Sequence, residues 1–171
     1  MDTPSRREFI TASALGMAAV PTLLSTARAQ TAPPPSEKIR LGLIGCGGIS
    51  QADLPCFLHH KEVDCPVICD VDASRMAERA RMVEELRGKA PETVSDFRRI
   101  IDRQDVDMVL VCTPDHWHAL PTVMACEAGK DVYVEKPLGK TIDEGRAMLE
   151  AAKANGRVVQ MGTQWRSGEH Y

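Results

Sequence analysis

No uninterrupted apolar run in the sequence reaches 18 residues, so nothing in it reads as a retained membrane span. It has no block of lysine and arginine either. With 21 basic residues against 24 acidic ones and a net charge of −3, it lacks the clustered cations that phosphate backbones require, and nucleic acid is not an expected partner. Aromatic residues are scarce at 4%, but 43% hydrophobic and 26% charged residues describe an ordinary globular chain, which excludes disorder, collagen-like repeats and coiled coil. The length of 171 residues allows one domain with a real core and little more. The six cysteines contain no Cys-x-x-Cys pair. Cys69 and Cys112 fall at the ends of apolar runs, where a thiol behaves as a small buried hydrophobe, so free thiols are expected rather than disulfides.

The first 29 residues read as an address. Ser5-Arg6-Arg7-Glu8-Phe9-Ile10 is followed by a weakly apolar run from Thr11 to Leu24 and by Ala27-Arg28-Ala29, a small-residue site of the kind a signal peptidase reads. The paired arginines are similar to those of a twin-arginine signal, which exports proteins already folded, so a periplasmic or otherwise exported location is expected, with no stable membrane insertion after cleavage. A protein folded in the reducing cytosol also has little opportunity to oxidise its thiols. Residues 30–37, with Pro33-Pro34-Pro35, read as a stiff extended linker.

From residue 38 to residue 161 the pattern alternates strand and helix. Short apolar runs at Ile39 to Ile44, Pro66 to Asp70, Met108 to Cys112, Asp131 to Val134 and Val158 to Met161 predict strands, with a weak one near Thr93-Val94. Between them, helical spacing runs from the glycines to about His60, from Ala73 to Arg87, from about His118 to Ala128, and from Thr141 to Asn155-Gly156, where Thr141 and Glu144 have capping-box spacing. Asp96 to Asp102 predicts a short helix capped by Ser95. Continuous apolar strands separated by helices mean an α/β fold, a doubly wound parallel sheet covered on both faces. In such sheets ligands bind beyond the strand C-termini, where the winding reverses. The polar clusters Gly45 to Ser50, Asp70 to Asp72, Thr113 to His118 and Glu135 to Pro137 all fall at such ends.

Gly45-Cys46-Gly47-Gly48-Ile49-Ser50 follows a strand and opens a helix. A dinucleotide pyrophosphate needs backbone N–H groups at close range and the positive end of a helix. Gly45 suits the tight turn and Gly47 the close approach, while Ser50 stands where the fingerprint prefers Gly or Ala. Asp70 ends the next strand, where a carboxylate accepts from both adenosine ribose hydroxyls. It repels a 2′-phosphate, so NAD is expected over NADP, although Arg75 one helical turn on can meet a phosphate. His116 and His118, two apart, lack a Cys, Asp or Glu partner set with ligand spacing, so no metal is expected. His116 and Trp117 suit either a sugar-lining role or packing at a helix start.

With Thr113-Pro114 and His118, and with Ala128-Gly129-Lys130-Asp131-Val132-Tyr133-Val134-Glu135-Lys136-Pro137, the chain resembles the Gfo/Idh/MocA family of dehydrogenases. The decapeptide is similar to the family's Ala-Gly-Lys-x-Val-x-x-Glu-Lys-Pro signature, and the resemblance covers about Lys38 to Arg166. It implies a Rossmann-like fold, with Gly45, Cys46, Gly47, Gly48, Ile49, Asp70, Thr113, Pro114, His118, Glu135 and Lys136 around the cofactor. Glu135 would contact the nicotinamide-side ribose. Lys136 would lie beside the nicotinamide and the substrate hydroxyl as the catalytic residue, and Pro137 would often be cis. Independently of the family, a lysine held between Glu and Pro can orient an alcohol oxygen and stabilise its developing negative charge.

The family's second domain, an α+β unit with a largely antiparallel sheet, carries the substrate pocket and usually the general base. Only its start is expected here, in residues 162–171, and any self-association is expected through that second domain. The leading function is an exported NAD-dependent oxidoreductase acting on a sugar or polyol. A relative that uses NAD for transient oxidation during glycoside cleavage is the alternative, although such relatives tend to lack the Glu-Lys-Pro element. A non-catalytic nucleotide-binding module is a third.

Overall fold

The computed structural model describes residues 38–167; the expected signal segment, the Pro-rich linker and the last residues of the chain lie outside them. The elements run β1 (Ile39–Ile44), α1 (Gly48–Leu58), β2 (Val63–Cys69), α2 (Ala73–Arg87), β3 (Glu92–Val94), α3 (Arg98–Ile101), β4 (Met108–Val111), a 3-10 turn (Asp115–Trp117), α4 (Ala119–Glu127), β5 (Asp131–Glu135), α5 (Ile142–Asn155), β6 (Val159–Gly162) and a 3-10 turn (Gln164–Ser167). The six strands form one sheet in the order β3-β2-β1-β4-β5-β6, and every pair is parallel. The winding therefore reverses between β1 and β4, which opens a crevice at their C-terminal ends.

Alternate strand residues feed two cores, because successive side chains point to opposite faces. Leu41, Leu43, Ile68 and Leu110 pack with Leu54 and Leu58 of α1 and Val83 of α2. Val67, Val109, Val111, Val132 and Val134 pack with Ile100 and Ile101 of α3, Ala125 and Cys126 of α4 and Met148 of α5. Each fully buried aliphatic side chain of this kind is worth about 1.5–3 kcal/mol. With both faces covered, the strands read as unbroken apolar runs, the pattern legible in the sequence.

The helix ends follow local chemistry. Asp72 caps α2, accepting from the N–H groups of Ser74 and Arg75 at 2.9 and 3.3 Å. Thr141 and Glu144 form the expected capping box on α5. Two expectations are corrected. β2 begins at Val63 rather than Pro66, because the register slips between Arg40 and Gly42 of β1, and Cys65-Pro66 forms the irregularity. A proline cannot donate to a strand ladder, and a bulge is where a strand can hold one. The short helix is not capped by Ser95: Asp96 Oδ1 accepts from the Arg98 N–H at 3.0 Å, and helix begins only at Arg98.

Candidate functional site

A groove of about 660 Å³ lies along the C-terminal ends of β1, β2 and β4. Gly45, Gly47, Asp70, Arg75, Thr113, Pro114 and the Phe97–Trp117 wall line it. Gly45 makes the turn out of β1 with φ +95°, and a Cβ there would meet the Cys112 carbonyl carbon at 2.6 Å, so the turn runs against the end of β4. Its N–H donates to the Cys69 carbonyl at 2.8 Å, tying the loop to β2. Gly47 precedes α1 in extended conformation and supplies no side-chain cap, and the first turn of α1, which includes Gly48 and Ile49, carries no acidic residue. The free N–H groups of that turn and the helix dipole are left for an anion. A Cβ at Gly48 would meet nothing within 4 Å, so open space lies beside this backbone. These features fit a dinucleotide pyrophosphate.

Ser50, the departure from the fingerprint, is fully buried, and its hydroxyl donates to the Gly47 carbonyl at 2.6 Å. Cys46 belongs to the cradle through its backbone, but its N–H is committed to Asp70 Oδ2 at 2.6 Å. Its thiol is pushed up to about 12, first by burial and then by the Asp70 charge, so it packs as a neutral group. Asp70 also accepts from the Asp72 N–H at 2.9 Å, and a carboxylate offers about four acceptor positions, so capacity remains for ribose hydroxyls. Arg75 is exposed in the same groove, with Nε 3.6 Å from Asp72. Arg79 of α2, 5% exposed, reaches the Cys46 carbonyl with its Nε at 3.3 Å and braces the loop from behind.

The far wall is the edge-to-face pair Phe97 and Trp117, with ring centroids 6.4 Å apart, alongside His116. Glu135 and Lys136 do not line this groove. His116 and Trp117 therefore stand in the same groove as Asp70 and Arg75. The Thr113 hydroxyl donates to the Trp117 carbonyl at 3.0 Å and folds the β4 loop. His118 is 1% exposed, with Nδ1 2.6 Å from the Pro137 carbonyl and Nε2 2.8 Å from that of Thr113. Both ring nitrogens face carbonyl oxygens, and the imidazole lies between the β4 loop and the β5 loop.

The β5 loop carries Glu135, Lys136 and Pro137, and the Lys136–Pro137 bond is cis. Glu135 is 2% exposed; its Oε2 accepts from the Lys136 N–H at 3.2 Å and its Oε1 from Gln164 Nε2 at 2.5 Å. Lys136 itself is exposed. Sequence reasoning missed what stands behind Glu135. Asp53 of α1 is buried beside it, linked to the same Gln164 Nε2 at 3.4 Å and to the Cys112 thiol at 3.8 Å. Burial, then the Glu135 charge, pushes the Asp53 carboxyl up to about 6. The available signal was Asp53 three residues after Ser50, a polar pair on one side of a largely apolar helix.

A parallel sheet wound in this order, with a glycine turn opening a helix after β1 and a carboxylate ending β2, defines a dinucleotide-binding Rossmann domain. The chain belongs to the Gfo/Idh/MocA family: the family's sequence model, an oxidoreductase family with an NAD-binding Rossmann fold, matches residues 39–163. It is 34% identical over 125 residues to a glycosyl hydrolase family 109 protein of Saccharopolyspora erythraea, covering 71% of this chain and 27% of that protein. It is 32% identical over 133 residues to an alpha-N-acetylgalactosaminidase of Shewanella oneidensis, covering 75% of this chain and 29% of that one. The chain thus spans less than a third of the length of these relatives. Among solved structures, the WlbA dehydrogenase of Bordetella pertussis, in complex with NADH and UDP-GlcNAcA, superposes with a TM-score of 0.66 at 26% identity, over 79% of this chain and 38% of that one.

Proposed function

We propose that the protein is an NAD-dependent oxidoreductase acting on a sugar or polyol hydroxyl, with this chain as its nucleotide-binding part. The observation that carries the reading is the convergence of the uncapped start of α1, Asp70 and the Glu135-Lys136-Pro137 loop at the end of the sheet where the winding reverses. The N–H groups of the first turn of α1 bind the pyrophosphate, and Asp70 accepts from the adenosine ribose. Thr113 and Pro114 flank it. His118 fixes the spacing between that loop and the β5 loop. Glu135 meets the nicotinamide-side ribose, and Lys136 orients the substrate oxygen and balances its developing negative charge. When bound, the cofactor supplies the hydride acceptor. Asp70 favours NAD over NADP and Arg75 works against that preference, so tighter binding of NADP in parallel titrations would reverse the assignment.

In the full-length protein, Lys136→Ala lowers kcat by about 10²–10⁴-fold and leaves NAD affinity within about threefold. Normal turnover by that variant would remove Lys136 from the chemistry.

A second reading is favoured by the names of the similar proteins, a glycosyl hydrolase family 109 protein and an alpha-N-acetylgalactosaminidase. In it the same oxidation is transient: the hydride returns to the sugar and a glycosidic bond is cleaved between. The Glu135-Lys136-Pro137 element weighs toward the first reading. Net NADH formation from a free sugar supports the dehydrogenase; release of an aryl group from an aryl N-acetylgalactosaminide, with NAD unconsumed, supports the glycosidase.

Export by the twin-arginine route belongs to the same proposal, on the strength of Arg6-Arg7 and Ala27-Arg28-Ala29. Replacing both Arg6 and Arg7 by lysine should hold the precursor inside the cell, and undiminished export would refute this part.

A further inference from the structure

Asp53 and Glu135 come from α1 and the end of β5 and are 8% and 2% exposed. Burial, then the Glu135 charge and hydrogen bonding with Glu135, raise the Asp53 carboxyl. One amide nitrogen, Gln164 Nε2, spans both, at 3.4 Å from Asp53 Oδ1 and 2.5 Å from Glu135 Oε1. No lysine or arginine forms an ion pair with either carboxylate among the described residues. Glycine at position 162 is part of the arrangement, because a Cβ there would overlap Glu135 Oε1 and fall 2.8 Å from the Tyr133 hydroxyl. Two ionised carboxylates offer only acceptors to each other; a single proton turns the contact into a hydrogen bond.

We propose that Asp53 is a positioning residue that shares one proton with Glu135, so that the pair presents one negative charge to the nicotinamide end of the site until an oxidised nicotinamide arrives, and two afterwards. The inference rests on the functional reading above only for what lies against Glu135. The other groups facing the pair do not supply its proton or replace it. The Cys112 thiol, just after β4, is held neutral by burial, and the Tyr133 hydroxyl, from β5, is raised by burial and by Asp53. Cys56, on the same helix as Asp53, donates its thiol to the Ala52 carbonyl at 3.3 Å, and Lys136 meets Glu135 through its backbone N–H. Oxidised nicotinamide carries a positive charge, which favours the doubly ionised pair, and the displaced proton goes to solvent. Reduced nicotinamide has no such charge and displaces none. The pair would thereby match the local charge to the redox state of the cofactor.

Two measurements on the 171-residue chain test this. The first needs no cofactor: a carbon-13 NMR titration of the side-chain carboxyl groups. Asp53 should titrate near pH 6 and at a lower pH in Glu135→Gln, burial still holding it above the ordinary carboxylate value, and an unmoved midpoint in that variant overturns the shared proton. An Asp53 midpoint near 4 in the unaltered chain overturns the shared proton. The second is calorimetry at pH 6 in two buffers of different ionisation enthalpy. NAD⁺ binding should release roughly half a proton, NADH binding none, and Asp53→Asn should abolish the release. NAD⁺ binding with no linked proton overturns the coupling. If neither cofactor binds while Asp53 still titrates near 6, the functional reading fails, and with it the coupling, while the shared proton stands.

Discussion

A methyl group added at Gly45 would meet the Cys112 carbonyl carbon at 2.6 Å and the Thr113 nitrogen at 2.8 Å, at a residue whose φ of +95° already disfavours any side chain. The same group at Gly47 would meet only the flexible end of Arg75, at 3.2 Å. The fold thus requires the first of these two glycines, while the second is free of that demand and on the proposed reading serves the ligand. Gly45→Ala should lower stability by about 3 kcal/mol, read by urea unfolding. Gly47→Ala should change stability by less than about 0.5 kcal/mol yet weaken NAD binding about tenfold or more, read by titration. Equal stability losses at the two positions would contradict this division. The loop and Asp70 were legible in the sequence because their chemistry is local: a turn, a helix start, a strand end. Asp53 was not, because an aspartate on a helix becomes a buried acid only when the end of β5, far along the chain, is laid against it.

At the scale of elements, the segment Ala128 to Pro137 proves to be two devices at opposite ends of one strand. Gly129, with φ +78°, ends α4, and Lys130 turns inward at the N-terminal edge of the sheet. Lys130 is 5% exposed, and its ammonium group donates to the carbonyls of Arg103 and Val106 at 2.5 and 2.9 Å, holding the segment that leads into β4. Glu135 and Lys136 stand at the other edge, at and just beyond the C-terminal end of β5. Lys130→Met should therefore lower stability by about 2–3 kcal/mol, because buried carbonyls lose a charged donor. NAD affinity, measured on the folded fraction, should stay within about twofold; a large loss would place Lys130 in the site. The sequence pattern located this strand but not the division of labour along it, since a lysine next to a glycine reads as surface until the carbonyls that receive it are known. The start of β2 was hidden for a related reason: Pro66 looks like a strand boundary until the partner strand shows a slip in register that accommodates it.

For the whole molecule, stability against pH reflects two opposed sets of carboxylates. The Arg40 guanidinium holds the Asp107 carboxyl below the usual range, first through its hydrogen bonds, and joins the starts of β1 and β4 with contacts of 2.8 and 2.9 Å. A carboxyl depressed in the folded state contributes stability above its ordinary value, and that contribution is lost as pH falls through the folded value. Asp105, lowered first by its hydrogen bond to Arg103, acts in the same direction. Asp53 has the opposite sign. Raised from 3.8 to about 6, it contributes fully at low pH, and its contribution is lost as pH rises through about 6. The cost of ionising it is about 1–2 kcal/mol after allowance for solvent screening. The thiols of Cys46, Cys65 and Cys69, pushed up to about 12, stay neutral across this window. The thermal midpoint should accordingly peak near pH 5 and fall by about 3–6 °C at pH 8. Asp53→Asn should remove most of the alkaline fall and leave the acid limb intact, whereas Asp107→Asn should make only the acid limb shallower, Asp105 sustaining part of it. An unaltered chain with the same midpoint at pH 5 and pH 8 would mean that Asp53 ionises at no cost, and the buried pair would then hold no proton to share.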